Sequence, residues 1–323
     1  AFKSVGANIL VQKFIKETAL SIGFDACGIA RAEALTEDAV FLHSWLEAGM
    51  HGEMSYLARN FEKRTDPREL VPGCKSVVTV LLNYCPPVSQ PDDAPRIARY
   101  AFSESDYHTV IKSLLAKLET AIVDKYGSEC INSNVQHSFV DSAPVLERRW
   151  AQKAGLGWIG KHTQLISPEM GSWFFIGVLM LNVETEYDIP VTDRCGSCTR
   201  CIDACPTQAL EPHLLNATRC ISYQTIELKT PVAEDIRPLL SGFALGCDIC
   251  VEVCPWNRKK AVPYTHSHLK AVSVISDWKR EDWVSMDNGG FAQIFKHSAV
   301  KRAGFAKLKE NIGFLNEKKS ETS

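Results

Sequence analysis

The chain reads as an α+β fold. A mixed domain built on a largely antiparallel sheet is followed by a ferredoxin-like module and a short helical C-terminal segment. Three observations predict this. "KSVVTVLLNY" (75–84) and "SWFFIGVLMLN" (172–182) are long apolar runs rich in Val, Leu and Phe, as buried strands are. Helical and strand patterns mix around them without strict alternation, which argues against a doubly wound parallel sheet. Eight of the twelve cysteines fall between 195 and 254, which marks a separate metal-bearing module.

The elements follow in order. "NILVQKFIKETALSI" (8–22) has apolar residues at helical spacing, and "FDACGIA" (24–30) reads as a strand. Residues 37–48 and 52–60 read as helices, and the proline-rich stretch 85–97 as a loop. Residues 106–126 form a long helical pattern. "HSFVD" (137–141) is a short strand and "PVLERRWAQKAG" (144–155) a helix. The final "EKKSETS" is a polar tail expected to be disordered.

Composition bounds the function. The 323 residues allow two domains, and 45% hydrophobic with 23% charged residues is ordinary for a globular protein. A net charge of −2 excludes a globally basic nucleic-acid-binding surface but leaves room for local basic patches. No apolar run is long enough to span a membrane and no signal-peptide pattern opens the chain, so a cytoplasmic protein is expected. The chain opens on Ala rather than Met, which predicts a trimmed start.

In a reducing compartment twelve cysteines are not disulfides. Cys195, Cys198, Cys201 and Cys205 read C-x2-C-x2-C-x3-C-P, the bacterial ferredoxin run in which the fourth cysteine serves the neighbouring cluster. Structural zinc uses two separated pairs instead. The second run, Cys247, Cys250 and Cys254, is one ligand short, and Cys220 is the nearest spare thiol. Two 4Fe-4S clusters follow: Cys195, Cys198, Cys201 and Cys254 hold one, and Cys205, Cys220, Cys247 and Cys250 the other. Cys27, Cys74, Cys85 and Cys130 read as small core residues. Two clusters form a short wire, so the preceding domain is expected to hold what the electrons are for.

Gly155, Gly157 and Gly160 match the G-x-G-x-x-G fingerprint. That fingerprint needs a strand before it and a helix after it, and here a helix precedes. Nicotinamide binding is therefore not expected. The glycines imply a tight loop where backbone approaches something closely.

"DSAPVLERRWAQKAGLGWIGKH", "GSWFFIG", "KRTDPRELVPG", "RYAFSESDYH", the ferredoxin run and "CPWN" together resemble the epoxyqueuosine reductases, from about residue 10 to about 315. The resemblance implies a nitroreductase-like, reductive-dehalogenase-like domain over 1–185 that binds cobalamin. A two-cluster domain over 186–262 and a helical segment over 263–323 would follow. It implies reduction of epoxyqueuosine to queuosine at the wobble position of the tRNA anticodon. Reductive epoxide opening takes two electrons and protons, and the leaving oxygen calls for a general acid.

The resemblance places that acid at Asp141, where burial beside the corrin ring would raise its pKa. The alternative for Asp141 is a helix N-cap. Cobalamin contacts are implied at Arg64, Asp141, Thr163, Ile166 and Gly177, with Ser222 and Asp248 beside cluster ligands; Tyr107 and His108 would line the site. No D-x-H-x-x-G motif offers a lower ligand to cobalt. Ala101 stands where some relatives carry a cysteine.

Basic residues border these segments. Arg148, Arg149, Lys153 and Lys161 form one group and Arg258, Lys259 and Lys260 another. Lys301, Arg302, Lys307 and Lys309 are expected on one amphipathic helix. Arg148, Lys301 and Arg302 are the expected tRNA contacts, with the modified base splayed into the pocket. A monomer fed by an external low-potential electron donor is expected. The competing readings are a corrinoid reductase of a small molecule, similar to a reductive dehalogenase, and a plain electron carrier.

Overall fold

The computed structural model describes residues 5–320. Helix α1 (Val5–Ile22) leads into strand β1 (Ala26–Arg31), and α2 (Thr36–Glu47) is followed by the short helices α3 (Phe61–Thr65) and α4 (Pro67–Leu70). Strand β2 (Ser76–Asn83) and the short β3 (Arg96–Ile97) precede the long helix α5 (Tyr107–Tyr126). Then come β4 (Ser138–Phe139), α6 (Glu147–Lys153), the hairpin β5 (Trp158–Ile159) and β6 (Leu165–Ile166), and β7 (Phe174–Leu181).

Four of these strands make one antiparallel sheet in the order β1-β2-β7-β4. Register pairs Cys27 with Val80, Val80 with Gly177, and Phe139 with Val178. Every residue of β2 is buried, because helices cover both faces. The two-residue period sends Val78, Val80 and Leu82 toward α1 and α5, and Val77 and Leu81 toward α6. Gly177 lies at the centre of this packing. A Cβ there would stand 2.8 Å from Ile111 of α5 and 3.0 Å from Val80, so its missing side chain is what lets α5 seat on the sheet.

The second half is mostly short helices. α7 (Arg200–Asp203) and the hairpin β8 (Leu210–Glu211) and β9 (Leu214–Leu215) lead to α8 (Ile221–Ile226) and β10 (Phe243–Leu245). α9 (Ile249–Glu252) and α10 (Pro255–Lys260) follow, then α11 (Val274–Asp277), α12 (Arg280–Ser285), α13 (Asn288–Ile294) and α14 (Phe305–Ser320). One apolar core unites Ile97, Ala101 and Phe102 with Leu240, Phe243, Trp283, Phe295 and Ile312. Packing thus runs across the 262/263 boundary and draws in residues from the first half. Buried Asn311 on α14 donates to the carbonyls of Thr225 (3.0 Å) and Ala244 (2.8 Å), locking α14 to α8 and β10. Ala101, in this core, is 1% exposed.

Four expectations are corrected. Residues 52–60 are not a helix but turns with a single 3-10 stretch at Ser55–Leu57. Gly49, Gly52 and Asn60 all take positive φ, and the Tyr223 ring fills the space a side chain at Gly52 would need. The helix expected from 144 begins only at Glu147, so Asp141 caps nothing. Lys301 and Arg302 lie on a 3-10 turn (Ala299–Arg302), separated from α14 by Gly304 at φ 80°, so the basic residues do not share one helix. α14 continues to Ser320, where a disordered tail was expected; residues 321–323 lie outside the described ones.

Candidate active site

Asp141 sits just past the edge strand β4, with φ 55°. A non-glycine residue held in this left-handed region signals a position fixed by its surroundings. Three donors converge on its Oδ2. The Tyr107 hydroxyl donates at 2.8 Å, His108 Nε2 stands at 3.3 Å, and Arg302 Nη1 at 3.5 Å. The first two come from the N-terminus of α5. There Asp106 caps the helix and holds His108 Nδ1 at 2.7 Å. Tyr107 is fixed by stacking, with its ring 4.1 Å from Phe175 of β7 and 4.1 Å from His108. Phe175 in turn lies 4.6 Å from Tyr84. Arg302 arrives from the C-terminal segment and is anchored by Glu227 Oε1 at 2.7 Å.

The electrostatics reverse one expectation. Burial pushes the Asp141 carboxyl up, but hydrogen bonds from His108 and Tyr107 and the charges of His108 and Arg302 outweigh it and hold it down, at about 2. Burial works against the His108 imidazolium, yet Asp106 and Asp141 together raise it to about 9. At neutral pH the pair is therefore carboxylate and imidazolium. The Asp141 side chain is 50% exposed, open to an incoming group. Glu147, at the start of α6, is pushed up to about 7 by burial, with Asp141 adding to the rise.

The remaining predicted residues fall around this carboxylate to different degrees. Arg64 is 8% exposed, donates from Nη2 to the Tyr56 carbonyl at 3.4 Å, and leaves a buried Nε unpartnered. Thr163 takes φ 63°, its carbonyl accepts from Arg148 Nη1 at 2.8 Å, and its buried hydroxyl has no partner. Ile166 is fully buried beneath Gly157 and Gly160, so its contact is with the glycine loop. Gly177 lies one layer back, under α5. That glycine run leads from the end of α6 through β5 into the β5–β6 turn, where the Gly160 N–H donates to the Gln164 carbonyl at 2.9 Å, and is not a strand-to-helix turn. Unpartnered Arg64 Nε, Thr163 Oγ1 and Glu147 Oε1, all buried, are what a missing polar cofactor edge would leave. The donor set therefore fits a large polar ligand such as a corrinoid.

The thiols sort into two groups. Burial raises Cys201 to about 11, and Cys254 and Cys195 add to the rise; Cys254 in turn feels Cys198. Burial also raises Cys220 and Cys247, with Cys205 adding to both and Cys220 adding to Cys247. Cys250 feels Cys247, Cys220 and, across the divide, Cys201. Among the described residues no three His, Cys, Asp or Glu are gathered tightly enough for one metal ion. Tetrahedral zinc would need its sulfurs within about 4 Å of one another, whereas an iron-sulfur cubane holds them further apart. Buried thiols that resist ionising alone suit a strongly cationic partner. Cys220 and Cys254 occupy the N-cap positions of α8 and α10.

Ser222 and Asp248 lie beside these ligands. Asp248 is 5% exposed, accepts from the Arg99 backbone at 2.7 Å, and is raised to about 6 by burial. Ser222 is half-buried and turns its backbone N–H toward Cys220. Several cations expected to face RNA are committed inside the fold. Lys161 Nζ holds the carbonyls of Gly196 (2.7 Å) and Cys198 (3.1 Å), Arg149 pairs with Asp38, and Lys153 with Glu33. Lys307 pairs with Glu310, and Lys309 donates to the Met286 carbonyl. Arg148, Lys301 and Arg302 stay exposed. Glu147 and Glu227 were not legible as site residues, because each reads as an ordinary helix carboxylate until the fold brings it beside an arginine.

Residues 64–142 match the family model described as epoxyqueuosine reductase QueG, DUF1730, and residues 194–257 match a 4Fe-4S double cluster binding domain. Over 305 residues the chain is 45% identical to the epoxyqueuosine reductase of Cellulophaga algicola, covering 93% of this chain and 96% of the relative. The chain belongs to the epoxyqueuosine reductase family. The Escherichia coli epoxyqueuosine reductase is 37% identical, over 94% of this chain and 80% of that one. Among solved structures, an epoxyqueuosine reductase with a tRNA-Tyr epoxyqueuosine-modified stem loop superposes with a TM-score of 0.81 at 30% identity, over 94% of this chain and 80% of that chain. An epoxyqueuosine reductase from Bacillus subtilis with its catalytic loop swung out of the active site gives 0.79 at 29% identity, with the same coverage. The fold and the double-cluster module expected from sequence are those of this family. Among the described residues no helix is long and apolar enough to cross a membrane.

Proposed function

We propose that this chain reduces epoxyqueuosine to queuosine in the tRNA anticodon. The epoxide takes up two electrons and two protons and releases its oxygen as water. The observation that carries the reading is Asp141, a half-open carboxylate held by Tyr107, His108 and Arg302 in a chain that carries two groups of four thiols. Cys195, Cys198, Cys201 and Cys254 hold one cluster, and Cys205, Cys220, Cys247 and Cys250 the second. Their grouping by mutual field supports this pairing. Electrons enter from an external low-potential donor.

Arg64, Thr163, Ser222, Asp248 and Asp141 would line the cobalamin site, and Ile166 and Gly177 support it from behind. When bound, cobalamin supplies a low-valent cobalt centre, a strong nucleophile and reductant that clusters of low potential can feed. Asp141 is the group beside the substrate that hands over the proton, and the His108 imidazolium restores it. A carboxylate held near 2 donates only after the hold of its donors is weakened. Arg148, Lys301 and Arg302, still exposed, serve the RNA phosphates.

The test is nucleoside mass spectrometry on anaerobically loaded protein given a reductant and tRNA bearing epoxyqueuosine. Loss of one oxygen from that nucleoside is expected. An unchanged nucleoside with clusters and corrinoid both present would overturn the reading.

A further inference from the structure

Arg302 stands between two carboxylates. Its Nη2 is 2.7 Å from Glu227 and its Nη1 3.5 Å from Asp141, and its side chain is 51% exposed. The two contacts differ in strength. The shorter one is to a carboxylate only 24% exposed, whereas Asp141 is half open, and a long, exposed ion pair is weakly held. The exposed edge of a guanidinium is also the preferred partner of a phosphate, which can take it in a bidentate grip. Arg302 is placed from two sides. Its segment is tied to α8 by Asn311 and by the Lys307 contact to the Thr230 carbonyl (3.5 Å), and Glu227 closes α8.

We infer that Glu227 and Arg302 form a clamp on the catalytic loop that the substrate itself releases: a phosphate of the incoming anticodon stem loop draws the guanidinium off Asp141 while Glu227 keeps it in place. This rests on the tRNA reading above. Glu227 and Arg302 are positioning residues; neither touches the reacting atoms. The other groups facing Asp141 stay where they are. From α5 these are Tyr107 and His108, the latter tied to Asp106; from α6 they are Glu147 and Arg148; Tyr56 and Tyr100 complete the surround. Removing one cation from this set makes the carboxylate easier to protonate and frees its loop from the C-terminal segment. The relative whose catalytic loop is swung out of the active site supports a loop held by contacts that can let go.

Linkage gives the test. A ligand whose binding raises a group's pKa takes up protons, and its affinity strengthens as pH falls. Calorimetry of the loaded, oxidised protein with an epoxyqueuosine-containing anticodon stem loop reads that uptake, in buffers of different ionisation enthalpy over a pH series carried down to the lowest pH at which both cofactors stay bound. The wild type should take up protons that Asp141→Asn and Arg302→Gln both fail to take up, and Arg302→Lys should restore part of the uptake. Glu227→Gln should keep the uptake but bind the stem loop several-fold more weakly. Equal uptake in wild type and Arg302→Gln, with Asp141→Asn lower, would overturn the clamp while leaving the substrate reading intact. Unchanged affinity in Glu227→Gln would remove Glu227 from it. A stem loop that does not bind the wild type at all would sink the substrate reading, and the clamp with it.

Discussion

His108 lies between two carboxylates, Asp106 and Asp141. It is raised from 6.5 to about 9 by Asp106 and Asp141 against the pull of burial. A group whose folded pKa is raised contributes stability that is fully present below its unfolded pKa and lost as pH rises through the folded one. His108→Gln should therefore lower the unfolding free energy most at pH 6, by an amount on the order of 1–3 kcal/mol, and the gap to wild type should close by pH 10. A gap independent of pH would mean that the imidazole is neutral and only packs. Asp141 carries the opposite sign. Its lowered carboxyl contributes above about 4, and that contribution fades as pH falls toward 2. The two statements describe one ion pair and are not summed. Asn311 shows how far a single amide can reach. Fully buried, it satisfies two carbonyls on separate elements, so Asn311→Leu should cost about 2–4 kcal/mol in a denaturant melt and loosen the turn that carries Arg302.

Helix α5 and the cysteine-capped helices show how elements deliver these residues. Gly177→Val would drive methyl groups into Ile111 and Val80, costing about 1–3 kcal/mol and displacing the Tyr107–His108 end of α5 from Asp141. A variant that loses turnover far more than melting temperature is expected; loss of neither would show that α5 seats without the glycine. Cys220→Ser should leave one 4Fe-4S cluster, about four irons per chain, with the other spectrum intact. A full iron count would break the pairing of Cys220 with Cys205. The main strands and α5 were legible because strict two-residue and 3.6-residue periods over long runs leave few alternatives. Both cysteine runs were legible because cluster geometry fixes ligand spacing. The helix expected over 52–60 was not realised, because Tyr223, far along the chain, occupies the space that holds Gly52 in its turn. The single basic helix failed at Gly304, whose positive φ no charge pattern announces.

At the scale of the molecule, the site is assembled from both ends of the chain. Asp141 and His108 belong to the sheet domain, whereas Arg302 and Glu227 sit on segments that pack around a core shared by residues 94–102, 221–245 and 272–315. Nothing local in the sequence could pair Arg302 with Asp141, since only tertiary packing joins them. Removing residues 263–323 strips Trp283, Phe295 and Ile312 from that core, so the truncated chain should be insoluble or molten, with no cooperative melt. A sharp transition in that truncation would show the C-terminal segment to be an appendage. Proton transfer by Asp141 in a site fed by two clusters is put to the test by a single-turnover assay of Asp141→Asn with epoxyqueuosine-bearing tRNA, with iron and corrinoid counted in the same sample. About eight irons and bound corrinoid are expected as in wild type, with the rate lowered by about 10²–10⁴-fold. Wild-type turnover in that fully loaded variant would contradict it.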